Sequence, residues 1–269
     1  MKYKVGFLGG GNIAKAIIGG FINSGLYKTE HIIASARSEK TIRELQSRFG
    51  IAATLDNALI VQQSEIVIIA VKPYMIDAVI TPLRTLFTDN HIVISVAAGV
   101  STQTLKQYFD DPVKLYRVMP NTPAQVGAGM SVIFTDVSED EPSCQTVKKL
   151  FESVGLVEVL NESLVHACIA VQGSSPAYMF MMLEAMGDAG VKLGLPRDKA
   201  YLMAAQTMLG SAQMLLETKM HPGALKDMVT SPGGTTIEAV AKLEESGFRH
   251  GVIKAMVACA DVSETMSKK

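Results

Sequence analysis

Over residues 1–161, short apolar runs alternate with stretches whose hydrophobic positions recur every three or four residues, the pattern of strands interleaved with helices. Residues 4–8 read as a short buried strand, 9–14 as a tight turn and 16–22 as the helix that follows. A second strand is expected at 31–35, a helix over 39–49, a short strand at 52–54, and a helix over 57–63 capped by Asp56. The run Ile66-Val67-Ile68-Ile69-Ala70-Val71 is apolar at every position, as a central parallel strand covered on both faces requires. Residues 92–96 repeat that pattern, and 114–118 form another strand, broken abruptly by Pro120 and Pro123. Strands at 129–134 and 155–159 flank a helix over about 140–154. Such alternation predicts an α/β fold with a doubly wound, mostly parallel sheet.

From Glu162 onward no strand pattern is found, so residues 162–269 are expected to form a separate all-α domain. Between residues 163 and 216 only six of 54 residues are Asp, Glu, Lys or Arg, and nine of the 15 methionines fall between Met179 and Met228. In the helix after Pro176, the charges Glu184, Asp188 and Lys192 leave one narrow polar stripe on a cylinder of Met, Phe, Leu and Ala. Helices that are apolar nearly all round must be buried. The core of a single helical domain is one way to bury them, but roughly 110 residues are too few to cover that much apolar surface alone. An intertwined homodimer, with further assembly open, is therefore expected. Only residues 266–269 read as a loose tail.

Composition narrows the partners. The net charge is −1, from 25 Lys and Arg against 26 Asp and Glu, with no run of one sign to attract nucleic acid or an anionic membrane. No apolar run approaches the ~20 residues of a membrane span, so a cytoplasmic protein acting on a small molecule is expected. Cys144, Cys168 and Cys259 have no CxxC spacing, which fits a reducing compartment and small buried side chains. The five histidines form no HxxxH or HExxH pair, and no metal is expected.

Two stretches carry chemistry. Gly9-Gly10-Gly11-Asn12-Ile13-Ala14, between a strand and a helix at the start of the chain, is GxGxxA. One glycine permits the turn, the next lets the backbone approach a pyrophosphate, and Ala14 lets helix and strand pack closely. This is the signature of a Rossmann-like dinucleotide-binding domain; a glycine-rich turn that binds nothing is the competing reading. Where an NAD site usually carries Asp or Glu after the second strand, this chain has Ser35-Ala36-Arg37-Ser38. Arg37 can fork onto a 2′-phosphate and the serines can donate to it, which favours NADPH, with NADH possible. Lys72 and Pro73 end a central strand, where ligands bind, and Ala97-Ala98-Gly99 is small enough for a nicotinamide ring to approach. The second stretch is Ser231-Pro232-Gly233-Gly234-Thr235-Thr236, ahead of a helical run. With the threonines as caps and the helix amides exposed, it reads as a seat for a small carboxylate, against the plainer reading of an ordinary capping loop.

These motifs, with Arg117-Val118-Met119-Pro120-Asn121-Thr122-Pro123, Leu225-Lys226-Asp227 and Gly247-Phe248-Arg249, resemble the pyrroline-5-carboxylate reductase family nearly end to end. One departure is Ser175, where a second glycine is expected after Gly173-Ser174. The resemblance implies hydride transfer from NAD(P)H to the C=N carbon of 1-pyrroline-5-carboxylate, giving L-proline. It implies that the glycine loop (Gly9, Gly10, Gly11, Asn12, Ile13), Ser35, Arg37, Asn57, Val71, Lys72, Pro73 and Ala98 hold the cofactor. Glu162, Ser231, Gly233, Gly234, Thr235 and Thr236 would hold the substrate, with Thr236 at the ring nitrogen. Two alternatives stay open: a 3-hydroxyacid dehydrogenase on the same plan, although Lys192 and Lys199 lie in no such motif, and a sensor that binds NADPH without turnover.

Overall fold

The computed structural model describes residues 1–110, 112–135 and 137–267. The first part alternates β1 (Tyr3–Leu8), α1 (Asn12–Asn23), β2 (Ile32–Ser35), α2 (Glu39–Phe49), β3 (Ala52–Thr54), α3 (Asn57–Gln63) and β4 (Ser64–Ile69). It continues through α4 (Ile76–Ile80), β5 (Ile92–Ser95), α5 (Thr102–Lys106), β6 (Lys114–Pro120), β7 (Gly129–Phe134), α6 (Pro142–Glu152) and β8 (Gly155–Leu160). The strands form one sheet in the order β3-β2-β1-β4-β5-β6-β7-β8. All neighbours pair in parallel except β6 and β7, which are antiparallel. The reversal has a local cause: the stretch between Pro120 and Gly129 is too short for a parallel crossover, which takes a dozen residues or more.

Both faces of the sheet are covered. Phe7 packs towards α1, its ring 6.2 Å from that of Phe21, within a layer that includes Tyr116 and Phe151. The next residue, Leu8, enters the opposite layer with Val67, Ile80 and Phe87. Local signals bound the helices: Asp56 caps α3 as expected, accepting from the Ala58 amide, while Ser38 caps α2 by accepting from the Thr41 amide and Gly50 closes α2 at φ 67°. The strand expected at 66–71 instead ends at Ile69. Ala70 and Val71 leave the sheet because β4 stops where β1 gives way to the glycine turn.

After a 3-10 turn at Glu162–Leu164 come α7 (Val165–Cys168), a π-helical turn at Ile169–Gly173, and then α8 (Ser175–Lys192) and α9 (Arg197–Thr218). The chain ends through α10 (Pro222–Val229), α11 (Thr235–Glu245) and α12 (Phe248–Ser267). No strand occurs here among the described residues. Met266 and Ser267 belong to α12 and not to a loose tail; Lys268 and Lys269 lie outside the described residues. Ser175 is the first residue of α8, and among non-glycine residues described only Lys219 has positive φ, so that position demands no glycine conformation. Cys144 is buried, while Cys168 and Cys259 are only partly so.

The chain divides into two compact units, Met1–Gly173 joined by the residues from Ala260, and Ser174–Cys259. In the second unit α8 and α9 pair through small residues, for a Cβ on Gly187 would strike the Tyr201 ring and one on Gly190 would strike Ala200. Much of the remaining apolar surface is uncovered in the single chain: Phe180 is 65% exposed, Leu202 64% and Leu209 58%. No helix among the described residues is long and apolar enough to cross a membrane.

Candidate active site

The strand order reverses at β1, where β2 lies on one side and β4 on the other, and a ligand crevice is expected beyond the carboxyl ends of such strands. One of about 630 Å³ lies there, lined by Gly9, Gly10, Gly11, Asn12 and Ile13 from the glycine turn. Arg37 and Thr41 line it after β2, Val71, Lys72 and Pro73 after β4, and Val96 and Ala98 after β5. Gly9 has φ 107°, and a Cβ there would meet the Ala70 carbonyl oxygen at 2.8 Å, so the turn closes against β4 only with glycine. A Cβ on Gly11, by contrast, would meet nothing within 4 Å. That open space lies at the start of α1, where backbone amides without helical partners face the crevice, and this suits the diphosphate of a dinucleotide. A hollow of about 700 Å³ on the outer side of α1, near Lys15 and Arg48, has no such turn.

Three residues expected at the cofactor do not line this crevice. The Ser35 side chain is buried: its hydroxyl donates to the Phe7 carbonyl and accepts from the Gly9 amide, each at 3.3 Å. It therefore ties β2 to the glycine turn and has no free donor for a phosphate. Ser38 is likewise engaged at the α2 cap, accepting from the Thr41 amide at 3.3 Å. Exposed Arg37 is thus the cation at the β2 end, with Thr41 beside it, a residue unremarkable in sequence. Asn57 opens α3 and stands outside the crevice lining.

Glu162 sits in a smaller cavity of about 330 Å³ with Arg117 and His166. Its Oε1 accepts from the Arg117 guanidinium at 2.7 Å and from the Thr102 amide at 2.9 Å. Burial pushes this carboxyl up, but the Arg117 hydrogen bond, the Thr102 amide and the Arg117 charge outweigh it and hold the group below its ordinary value. The Arg117 side chain is only 5% exposed and lies over the Phe134 ring. Sequence reading assigned it no role, although a charge inside an otherwise apolar strand signals a buried partner.

In the second unit, Ser231 to Thr236 forms the expected turn before α11. The Gly234 amide donates to the Ser231 carbonyl at 3.0 Å, and Gly233 has φ 67°. A Cβ on Gly234 would lie 2.3 Å from Ser231 Oγ and would turn that hydroxyl away, and the positive φ of Gly233 favours glycine. The threonines do not cap the helix; Gly234 is the N-cap, without a side-chain bond, and Thr235 and Thr236 are the first two helical residues. That leaves their hydroxyls available, and their amides have no intrahelical acceptor.

Comparison with known proteins agrees with this architecture. The sequence model described as pyrroline-5-carboxylate reductase dimerisation matches residues 162–266, and one described as NADP oxidoreductase, coenzyme F420-dependent, matches residues 4–99. The chain is 44% identical to a pyrroline-5-carboxylate reductase of Escherichia coli over 268 residues, covering 100% of both chains. It is 40% identical to one from Methanosarcina acetivorans, covering 99% of this chain and 98% of the other. Among solved structures, a pyrroline-5-carboxylate reductase from Coxiella burnetii superposes with TM-score 0.90 at 33% identity, covering 100% of both chains. A Plasmodium falciparum pyrroline carboxylate reductase with NADP bound gives TM-score 0.87 at 28% identity, covering 99% of both. With full-length relatives at this identity, a crevice built for a dinucleotide and a C-terminal segment matching a dimerisation domain, the chain belongs to the pyrroline-5-carboxylate reductase family.

Proposed function

We propose that this chain reduces 1-pyrroline-5-carboxylate to L-proline with NADPH, the loop from Ser231 to Thr236 holding the substrate's carboxylate. The observation that carries this reading is the loop itself: Gly233 turns the chain at φ 67°, and the first turn of α11 offers the amides and hydroxyls of Thr235 and Thr236. When bound, the reduced dinucleotide supplies a hydride for the C=N carbon. The chain's own residues do the rest. Gly9 to Ile13 seat the diphosphate on backbone amides, and Arg37 pairs with the 2′-phosphate, with NADH as the weaker substrate. Val71, Lys72, Pro73 and Ala98 bound the reactive end of the crevice. Ser35 contributes by holding Gly9, while Asn57 stands outside the crevice lining. Thr236 orients the ring nitrogen, which is basic enough to take its proton from solvent, so no His or Tyr acid is needed.

The uncovered apolar faces of α8 and α9 support assembly as a homodimer through the helical region, 162–269, as distinct from a cofactor-binding region at 1–161. Unpaired cysteines, a net charge of −1 and the lack of a candidate spanning helix among the described residues support a cytoplasmic enzyme that binds neither nucleic acid nor membrane. The test is NADPH oxidation with pyrroline-5-carboxylate, in parallel with NADH and with the six-membered cyclic imine acid. Rapid turnover of the five-membered imine is expected; NADPH binding without consumption of either imine would overturn the assignment and favour a sensor.

A further inference from the structure

The motif Arg117-Val118-Met119-Pro120-Asn121-Thr122-Pro123 carries a family resemblance but no role in the reaction described above, and its first residue has an unusual pair of connections. Through its backbone, Arg117 pairs in the sheet with Ser95, the last residue of β5. Through its guanidinium it grips Glu162 at 2.7 Å, and the same carboxylate oxygen accepts from the amide of Thr102, the first residue of α5. Ser95 and Thr102 are the two ends of the loop 96–101, whose Val96 and Ala98 line the crevice. One residue thus stands at both ends of the loop bounding the crevice opposite its Arg37 end, by its backbone at Ser95 and, through Glu162, by its guanidinium at Thr102.

We propose that Arg117 is a positioning residue: acting through Glu162, it sets the loop 96–101 against the nicotinamide half of the dinucleotide. Glu162 is the link, with two donors on its Oε1. This rests on the assignment of the crevice to NADPH. Within the loop Val96, Ala97 and Val100 pack against the two cores and Ser101 caps α5 by accepting from the Thr104 amide, so the ion pair adds its hold at Thr102, where the loop meets α5.

The test separates the two ends of the cofactor. Affinity is measured for NADPH and for adenosine 2′,5′-bisphosphate, which reaches only the Arg37 end. Arg117→Met is expected to weaken NADPH by about 10-fold, the scale of one lost hydrogen bond to a charged group, with the bisphosphate unchanged within about twofold. Arg117→Lys keeps the charge and should recover part of the loss. Arg117→Met/Glu162→Gln removes the stranded carboxylate and should be no weaker than Arg117→Met alone, as coupled residues behave. Glu162→Gln alone keeps an oxygen for both donors and should weaken NADPH less than Arg117→Met does. Equal weakening of both probes, an unchanged affinity ratio in Arg117→Met, or a larger loss of NADPH affinity in Glu162→Gln than in Arg117→Met would each overturn the inference. Should Arg117→Met not fold, the Arg117→Lys and Glu162→Gln arms decide it. Because the affinities need no turnover, a chain inactive on the imine can still pass, and an active one can still fail.

Discussion

In the α/β unit Phe7, Phe21, Tyr116, Phe134 and Phe151 are fully buried, whereas in Ser174–Cys259 the buried residues among those described are only Gly187, Ala200 and Ala204. The two units face the same demand, to remove apolar side chains from water, and meet it with different means. A sheet wound by helices on both faces encloses its own core within one chain. Long helices that are apolar around most of their circumference offer more surface than a hairpin of the same chain can cover. A matched dimerisation domain and an uncovered surface in the same segment are two views of one fact.

The contrast can be broken most severely from the helical side. Leu209→Glu puts a charge on the exposed apolar face of α9, where burial by a partner would strand it. Loss of the dimer in sedimentation and a drop in turnover of about 100-fold or more are expected, because an unpaired buried charge costs several kcal/mol. NADPH binding to the α/β unit should survive, and an active monomer would refute the role of that face. Phe151→Ala attacks the other solution to burial. It should destabilise the α/β unit by about 3–5 kcal/mol in denaturant unfolding, as large cavities in closed cores do. Gly234→Ala tests the loop: its Cβ would collide with Ser231 Oγ, and imine KM is expected to rise by on the order of 10–100-fold with NADPH affinity unchanged. Arg37→Ala should raise KM for NADPH by about 10-fold and leave NADH within about twofold, since only one carries the 2′-phosphate.

The smallest effect concerns acid. Because Glu162 is held below its ordinary value of 4.5, the folded chain binds fewer protons there than the unfolded chain. The associated stability is fully present above that value and is lost as pH falls through the folded value. Glu162→Gln should therefore flatten the acid-side fall in urea midpoints while changing the neutral-pH midpoint by only about 1 kcal/mol equivalent.

Much of the fold is legible because its signals are local. Each of the eight strands is marked by an apolar run, and the boundaries of α2 and α3 by Ser38, Asp56 and the positions that follow. The glycine turn and the Ser231 to Thr236 loop are legible for a related reason, since backbone conformation there is dictated by glycines adjacent in sequence. Side-chain direction at the site is less legible. Ser35 stands where a phosphate ligand is expected, yet its hydroxyl is drawn inward by Phe7 and Gly9, nearly thirty residues away. The capping role expected of Thr235 and Thr236 fell to Gly234, one residue earlier, because the turn closes through the Gly234 amide.

By itself the sequence determined the order of strands and helices in the α/β part, the glycine turn, the Ser231 to Thr236 loop and the surplus of apolar helix, all consequences of spacing within a few residues. Only the tertiary structure decided that Arg117, Thr102 and Glu162 meet on one carboxylate oxygen, that Ser35 braces the turn, and that Thr41 joins Arg37 at the crevice. Periodicity records which face of an element is buried, but a buried polar group takes whichever partner the packed chain brings within about 3 Å, and that partner leaves no mark on the local pattern.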